Sequence, residues 1–264
     1  MARTSLLRTG VAPPTSDAPR ASVARTRRLT WWRQPASERR RLLDACYAIY
    51  RETSSTLSRC ELEAQFAHPE TRLGLFYDKA GALVGFSNAA VLRIDVAGRS
   101  QAVFSAGVYF RLSVRGGPAS VVFGLTEALR YKLLAPYVPL AYLAMASSPA
   151  PYDLYYRHAK RLWPSPDAEM PPSVAAAIEA ASEARGLRRI DGDRCRVETY
   201  VAPDRPDRIR RSKRLRGQPS TRFYEAANPG WADHERPTAL LVWIPLGLRD
   251  ILGALLRLVG LRRR

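Results

Sequence analysis

The sequence predicts an α/β (α+β) fold in which helices flank strands, three of which form an antiparallel meander. Three observations support this prediction. The 264 residues can bury a sizeable core. Two helical segments precede three strand-like segments that are separated by glycine-containing turns. A long amphipathic helix, an apolar strand and a further helix come next.

The N-terminal part should contain a tail, a short strand and two helices. Residues 1–25 are basic and rich in Pro and Ser, which predicts a disordered tail. Residues 30–32, Thr-Trp-Trp, are expected to form a short strand. Residues 35–53 show helical periodicity of apolar side chains, and residues 57–66 predict a second helix that ends before Pro69.

Three strands in an antiparallel meander should follow. Residues 72–77 and 83–94 are apolar and are separated by Asp-Lys-Ala-Gly, a turn signal. A second turn, Val-Ala-Gly-Arg, leads to a third strand over residues 102–114. Leucine and valine then recur at helical spacing over residues 118–134, and Pro118 suits the first turn of that helix.

The remaining elements alternate between strands and helices. A strand is predicted over residues 140–145, a tyrosine-rich helix over 151–162, and a helix over 173–184 that Gly186 ends. In the last third we expect strands at residues 196–201 and 239–244, a basic loop at 203–222, a turn at Asn228-Pro229-Gly230-Trp231 and a helix from Leu246 onward.

The charge and the cysteines restrict the function classes. The formal net charge is +18, which attracts polyanions such as an anionic membrane, an acidic carrier protein, a phosphorylated cofactor or a nucleic acid. Nucleic acid ranks last, because the basic segment 208–216 lacks interleaved aromatic residues. Three widely spaced cysteines indicate free, mostly buried thiols in a reducing cytoplasm and no metal site. Residues 1–25 contain no continuous apolar stretch, so we do not expect them to be a secretory signal.

The order of the elements over residues 31–163 resembles the core of the GCN5-related N-acyltransferase (GNAT) superfamily. Gly85-Phe86 is similar to a glycine-aromatic pair found on the second strand of the family, and the third strand leads into Arg115-Gly116-Gly117, as in its phosphate loop. The resemblance implies a mixed, mostly antiparallel central sheet flanked by helices, with a core at residues 26–165 and a C-terminal extension at 166–264. It also implies transfer of an acyl group from a thioester to an amine of a small molecule or peptide, by direct attack and without a metal.

The resemblance implies that the third strand and the following loop bind the donor. Glycines let backbone amides approach a phosphate, and a helix N-terminus adds its dipole. Pro118 replaces the first glycine of the family's loop pattern, and a serine replaces its second small residue. The donor is either acyl-CoA or an acyl group on the phosphopantetheine of a carrier protein, and the expected contacts are Val108, Phe110, Leu112, Arg115, Gly116, Gly117, Ala119 and Ser120.

The tyrosine-rich helix is where the family places the tyrosine that protonates the leaving thiolate. Tyr155 falls closest to that position, and Tyr156 is its neighbour if the register shifts by one. Both side chains are equally well explained as amphipathic core residues. The general base stays open, with weak candidates at Asp95, Glu61, Glu63 and His158, and Ser105 is a weak candidate for a polar group facing the site.

The helix from Leu246 combines an apolar face with arginines. Such a helix either lies at a membrane surface or packs on the protein's own sheet, and it is too charged and too short for a confident transmembrane span. The expected location is therefore the cytoplasm, with a possible peripheral membrane contact that would suit a fatty acyl donor. The alternative function is a non-catalytic protein that binds a membrane or a partner on a degenerate GNAT scaffold.

Overall fold

The computed structural model describes residues 21–53, 57–69, 71–115, 118–190, 192–199, 212–233 and 236–260. The strands are β1 (Ala21–Ser22), β2 (Arg25–Leu29), β3 (Arg72–Tyr77), β4 (Leu83–Val96), β5 (Arg99–Phe110), β6 (Val114–Arg115), β7 (Leu140–Ala146), β8 (Arg196–Glu198) and β9 (Thr238–Pro245). The helices are α1 (Ala36–Thr53), α2 (Arg59–Ala67), α3 (Ala119–Leu134), α4 (Pro149–His158), α5 (Pro172–Ala184), α6 (Pro219–Ala227) and α7 (Leu248–Gly260).

Seven strands form the main sheet in the order β2-β3-β4-β5-β7-β9-β8. All neighbours in this sheet are antiparallel except β5 and β7, which are parallel. β1 and β6 form a separate parallel pair. The predicted α/β class with a mixed, mostly antiparallel sheet and its β3-β4-β5 meander are confirmed.

Helices cover both faces of the main sheet, because side chains alternate along each strand. On β3, Leu75 packs toward α1 and α2, whereas the next residue, Phe76, packs toward α3. On β5, Val103 packs toward α5 and Phe104 packs toward α3 and α7. The two faces therefore carry α1, α2 and α5 on one side and α3 and α7 on the other.

The long periodic segments form the predicted helices, with ends that differ by a few residues. The second helix begins at a capping box, in which the Glu61 amide donates to the Ser58 hydroxyl at 3.3 Å and the Ser58 amide donates to the Glu61 carboxylate at 2.7 Å. Gly186 ends α5 as expected, with a φ of 61°. Cys46 and Cys195 are buried and Cys60 is exposed.

Three predictions about local structure are wrong. Residues Trp31–Arg33 form a 3₁₀ helix instead of a strand. Of the segment 1–25 predicted as a disordered tail, residues 1–20 lie outside the described residues, whereas Ala21–Ser22 form β1 and Arg25 begins β2. The third strand of the meander ends at Phe110, so that Leu112 lies in a turn and β6 is a separate short strand. Residues Pro219–Ala227 are helical, although we predicted a basic loop as far as residue 222.

Residues after 165 contribute to the same sheet. β9 pairs with β7 over six residues, and β8 pairs with the other edge of β9. Residues Pro229–Ala232 form a 3₁₀ helix where a turn was expected. The division of the chain at residue 165 stays a prediction. Arg208, Arg210 and Arg211 lie outside the described residues.

Candidate active site

The parallel strands β5 and β7 pair over only three residues. Ala102, Val103 and Phe104 face Leu140, Ala141 and Tyr142, and the pairing then stops. β5 continues over residues 105–110 and β7 over residues 143–146, without pairing to each other. We call the opening between these two segments the wedge. The β5 edge in the wedge has no strand partner among the described residues, so it can pair with an extended ligand.

One wall of the wedge is shaped by Gly107. A Cβ atom at this position would overlap the Oδ1 atom of Asn88 and lie 3.0 Å from the Tyr109 ring. The Tyr109 hydroxyl would be 3.1 Å from the same atom, so this side chain lies over the glycine. Burial, with a smaller effect from Tyr50, raises the pKa of Tyr109 to about 12.

The end of α5 places a cation in the wedge. The Leu187 amide donates to the Ser182 carbonyl and the Gly186 amide to the Glu183 carbonyl, both at 2.9 Å, which is the hydrogen-bond pattern of a Schellman motif. This motif fixes the backbone of Arg185, the cap residue. Its guanidinium donates a hydrogen bond to the Ser105 hydroxyl on β5, and the Ser105 side chain is buried.

The Arg185 guanidinium lies among neutral groups. Burial lowers its pKa, and the nearby phenols of Tyr142 and Tyr109 act in the opposite direction. Arg185 as a whole residue is exposed, although neighbouring protein atoms desolvate its guanidinium enough to lower its pKa. Within the described residues, no carboxylate forms an ion pair with this guanidinium.

Tyr155 on α4 reaches the wedge through Tyr142. Their rings meet edge to face, with centroids 5.9 Å apart. Burial raises the pKa of both phenols, well above the usual value for Tyr155. A hydrogen bond between the two lowers the pKa of Tyr142 and raises that of Tyr155, and Arg185 also lowers the pKa of Tyr142. Tyr155 is therefore protonated at neutral pH.

The other tyrosines of α4 have different partners. The Tyr156 hydroxyl hydrogen-bonds Asp167, which raises the pKa of Tyr156. Tyr152 is fully buried and donates to the carbonyl of Pro164 at 2.9 Å. Of the two predicted acids, Tyr155 contacts Tyr142, the last β7 residue before the wedge, whereas the described partner of the Tyr156 hydroxyl is Asp167.

The loop expected to bind phosphate lies at the far end of the β5 edge. Gly116, Gly117 and the side chain of Arg115 lie outside the described residues. Ala119 is buried and Ser120 is half-buried in the first turn of α3, whose first amides have no partner within the helix. An open groove of about 520 Å³ borders this turn, lined by Val23, Ala24, Thr26, Arg28, Ala119, Val122 and Phe123.

The predicted strand contacts differ in their accessibility. Val108 is 45% exposed in the part of β5 that does not pair with β7, where a ligand can reach it. Phe110 stacks on Phe76 with ring centroids 5.1 Å apart, so it is part of the core on the α3 side. Leu112 is 49% exposed but lies beyond the end of the strand.

The candidate bases have structural partners or lie at the surface. Glu61 caps α2. The Asp95 carboxylate accepts the Gly98 amide at 2.9 Å in the β4–β5 turn. His158 is exposed at the end of α4, and Glu63 is half-buried on α2. Among the described residues, no cluster of His, Cys, Asp and Glu is suited to hold a metal ion.

Sequence reasoning missed Arg185 as a site residue. It is 80 positions from Ser105, and only the fold brings the two side chains together. Gly186 did mark the helix end, and the residue before a C-terminal glycine has a fixed backbone. That signal places Arg185 at a rigid helix cap, but it does not show where the Arg185 side chain points.

No protein-family model and no curated protein matches the chain. Several solved structures match part of the chain. One, from Enterococcus faecalis V583, is described as a conserved protein of unknown function and probable N-acyltransferase. It is 13% identical with a TM-score of 0.35, over 51% of this chain and 31% of that one. A phosphinothricin N-acetyltransferase candidate is 17% identical with a TM-score of 0.35, over 55% and 90%. An acetyltransferase candidate from Acinetobacter baylyi ADP1 is 16% identical with a TM-score of 0.34, over 52% and 80%.

Proposed function

We propose that this protein is an N-acyltransferase that moves an acyl group from a thioester donor, acyl-CoA or acyl carrier protein, onto an amine. The observation that carries the proposal is the wedge. Beyond Phe104 the β7-side edge of β5 has no strand partner among the described residues. The Arg185 guanidinium bonds Ser105 at that point, and the protonated phenol of Tyr155 contacts Tyr142, the last β7 residue paired with β5. An extended pantetheine arm can hydrogen-bond such an edge in the manner of an added strand.

The donor has a natural orientation along β5. Its phosphates would lie at the first turn of α3, where free amides and the helix dipole favour an anion. The groove beside this turn, with Arg28 in its lining, offers room for the remainder of the nucleotide. The arm then runs along residues 110 to 105, and the thioester comes to the end of the wedge near Ser105.

The chemistry requires one proton transfer that the site can supply. The amine nitrogen forms a bond to the thioester carbon, and the bond between carbon and sulfur breaks. The acceptor nitrogen loses a proton to water. As sulfur gains negative charge, the protonated phenol of Tyr155 transfers its proton to sulfur to give the thiol. Water then returns to the Tyr155 phenolate the proton that the amine released. Holding both reactants in one cleft supplies further acceleration.

The first test measures thiol release from acetyl-CoA and longer acyl-CoA donors in the presence of a panel of amines. We expect Tyr155→Phe to lower kcat about 100-fold, the lower range for the loss of a general acid, with little change in donor affinity. Tyr137→Phe is the matched control, because Tyr137 is 96% exposed and lies outside the wedge. Its turnover should equal that of the wild type.

Two results would contradict the proposal at different levels. Unchanged turnover in Tyr155→Phe would remove Tyr155 from the acid role, and Tyr142→Phe would then test its hydrogen-bonded neighbour. If no acyl-CoA and no acyl carrier protein raises the thermal midpoint of the protein, the enzyme hypothesis is wrong. The non-catalytic scaffold would then be the better account.

A fatty acyl donor and a membrane contact are proposed from the surface of α7. Ile251 is fully buried against the sheet, whereas Leu248, Leu252 and Leu256 are 40%, 42% and 72% exposed on a second stripe. Exposed Arg249 and Arg257 lie on the same helix. Exposed leucines beside arginines suit an anionic bilayer surface. No described helix is long and apolar enough to cross a membrane.

Sedimentation with vesicles of phosphatidylcholine, with and without phosphatidylserine, tests this surface. We expect binding to the anionic vesicles and its loss in Leu252→Ser/Leu256→Ser. Leu154→Ser is the control, since this leucine is similarly exposed, at 46%, on α4. Binding that is equal in all three proteins would rule out α7 as the contact.

An acidic carrier protein is the other proposed source of the donor. Of the basic segment 208–216, the described residues Lys213, Arg214 and Arg216 lie just before α6, and Lys213 and Arg214 are exposed. Comparing the same acyl group on CoA and on an acyl carrier protein decides between the donors. A higher kcat/KM for the carrier-linked donor, reduced by charge reversal at Lys213 and Arg214, would identify the carrier protein.

A further inference from the structure

The Arg185 guanidinium is the only cation placed in the wedge by the described contacts, and its charge is not compensated there. Its described partners are the Ser105 hydroxyl and the phenols of Tyr109 and Tyr142, all of which are neutral. Holding a guanidinium partly desolvated without an anion costs free energy, and a fold gains little from doing so. An anion supplied by a ligand would remove that cost.

The position of Arg185 argues against the phosphates of the donor as this anion. Ser105 and Phe110 are five residues apart on β5, which at about 3.3 Å per residue separates them by about 17 Å. The phosphate-binding turn of α3 lies beyond Phe110, whereas Arg185 is anchored at Ser105. Arg185 therefore lies where the acyl carbon would meet the acceptor.

The geometry also suits one kind of anion. Arg185 is an exposed residue, so a ligand can approach its side chain from solvent. A guanidinium presents parallel N–H groups that match a carboxylate in a bidentate arrangement. The Schellman motif at Gly186 fixes the backbone from which the side chain extends, so this donor set is held in place before the ligand arrives.

We propose that Arg185 binds a carboxylate of the acceptor, so that the acceptor is an amino acid or another amine that carries a carboxylate. The proposal rests on the proposed function for the identity of the wedge as an acceptor site. Arg185 is then a specificity-determining residue. It selects the acceptor by charge and orients the amine of the acceptor toward the acyl carbon.

The experiment compares matched ligands that differ only in the carboxylate. Phenylalanine with phenylalaninamide, and leucine with leucinamide, are titrated against the full chain by calorimetry and used as acceptors with the best acyl-CoA donor. We expect the wild type to prefer the free carboxylate. Arg185→Gln should raise KM for the carboxylate acceptors about 10- to 100-fold, the range for a charge-assisted hydrogen bond, while KM for the donor stays unchanged.

Two further variants distinguish loss of carboxylate binding from a general structural effect. Arg185→Lys retains the charge and should recover part of the preference, which a merely structural loss would not allow. Arg188→Gln is the matched control, because Arg188 follows three positions later and its side chain is 78% exposed. Its preference for the carboxylate should equal that of the wild type.

Equal affinity of the wild type for acids and amides would overturn the proposal. So would an Arg185→Gln variant that loses the same factor in kcat for both acceptors, since Arg185 would then act on the reacting carbonyl. Binding by calorimetry needs no turnover. A protein that binds the carboxylates through Arg185 but transfers no acyl group would refute the proposed function and leave this inference standing.

Discussion

Replacing Asn228 by alanine should destabilise the protein strongly, because its side chain joins three elements in a buried network. Asn228 is completely buried. Its amide nitrogen donates to the Tyr224 hydroxyl at 3.0 Å and to the Thr238 carbonyl at 3.1 Å, and its oxygen accepts the Thr238 hydroxyl. The Tyr224 hydroxyl in turn donates to the Ala146 carbonyl at 2.8 Å, at the end of β7.

The size of the effect follows from these contacts. Asn228→Ala removes three hydrogen bonds, each worth about 1 kcal/mol net, and therefore costs about 3 kcal/mol. For a chain of this size, about 2–4 °C of thermal midpoint is lost per kcal/mol, which predicts a decrease of about 6–12 °C. Urea unfolding followed by circular dichroism should show a lower midpoint at an unchanged slope.

Two variants serve as controls for this network. Asn88→Ala removes a half-buried asparagine with one described bond, to Gln65 at 3.2 Å, and should cost less than about 1 kcal/mol. Thr238→Val deletes one partner of Asn228, and the double variant with Asn228→Ala should cost less than the sum of the single changes. A loss below about 1 kcal/mol in Asn228→Ala would show that the network contributes no more than a surface contact.

Three further outcomes are expected. Gly85→Ala places a methyl group on the Phe110 ring and should cost about 1–3 kcal/mol in urea unfolding; an unchanged midpoint would mean that the ring moves freely. Gly186→Ala forces alanine to a φ of 61° and should cost about 1 kcal/mol in the same assay; no loss would exclude strain at this cap. The hydrogen bond from Lys160 holds the pKa of Asp250 below its usual value, so the charged carboxylate stabilises the fold above that value. The excess stability of the wild type over Asp250→Asn should therefore disappear as the pH falls through the pKa of the folded protein; a constant difference would contradict this.

The sequence predicted those elements whose pattern repeats within a short window. Helices α1, α3 and α5 show apolar residues at helical spacing, and the meander is marked by its turns. β2 was missed because its sequence, Arg-Thr-Arg-Arg-Leu, buries only Leu29 and has no apolar alternation. The aromatic pair after it suggested a strand, but Trp31 is buried edge to face against Phe66 in a 3₁₀ turn.

The candidate site was predictable only in part, since it is assembled from distant segments. Tyr155 could be located by the order of elements, and the structure brings it beside Tyr142. The wedge itself depends on where the pairing of β5 and β7 stops, and no local pattern marks that point. The role of Arg185 could not be predicted, because the sequence does not distinguish an arginine in a site from an arginine on the surface.

The pairing of β7 with β9 has a consequence for how the protein is made. β7 ends at Ala146, whereas its partner begins at Thr238, so a growing chain on the ribosome completes one wall of the wedge long before the strand that supports it. Until β9 emerges, that wall has an open hydrogen-bonding edge of largely apolar residues, Leu-Ala-Tyr-Leu-Ala-Met-Ala. During that interval the nascent chain is exposed to mispairing, and holding chaperones would have their greatest effect on its yield.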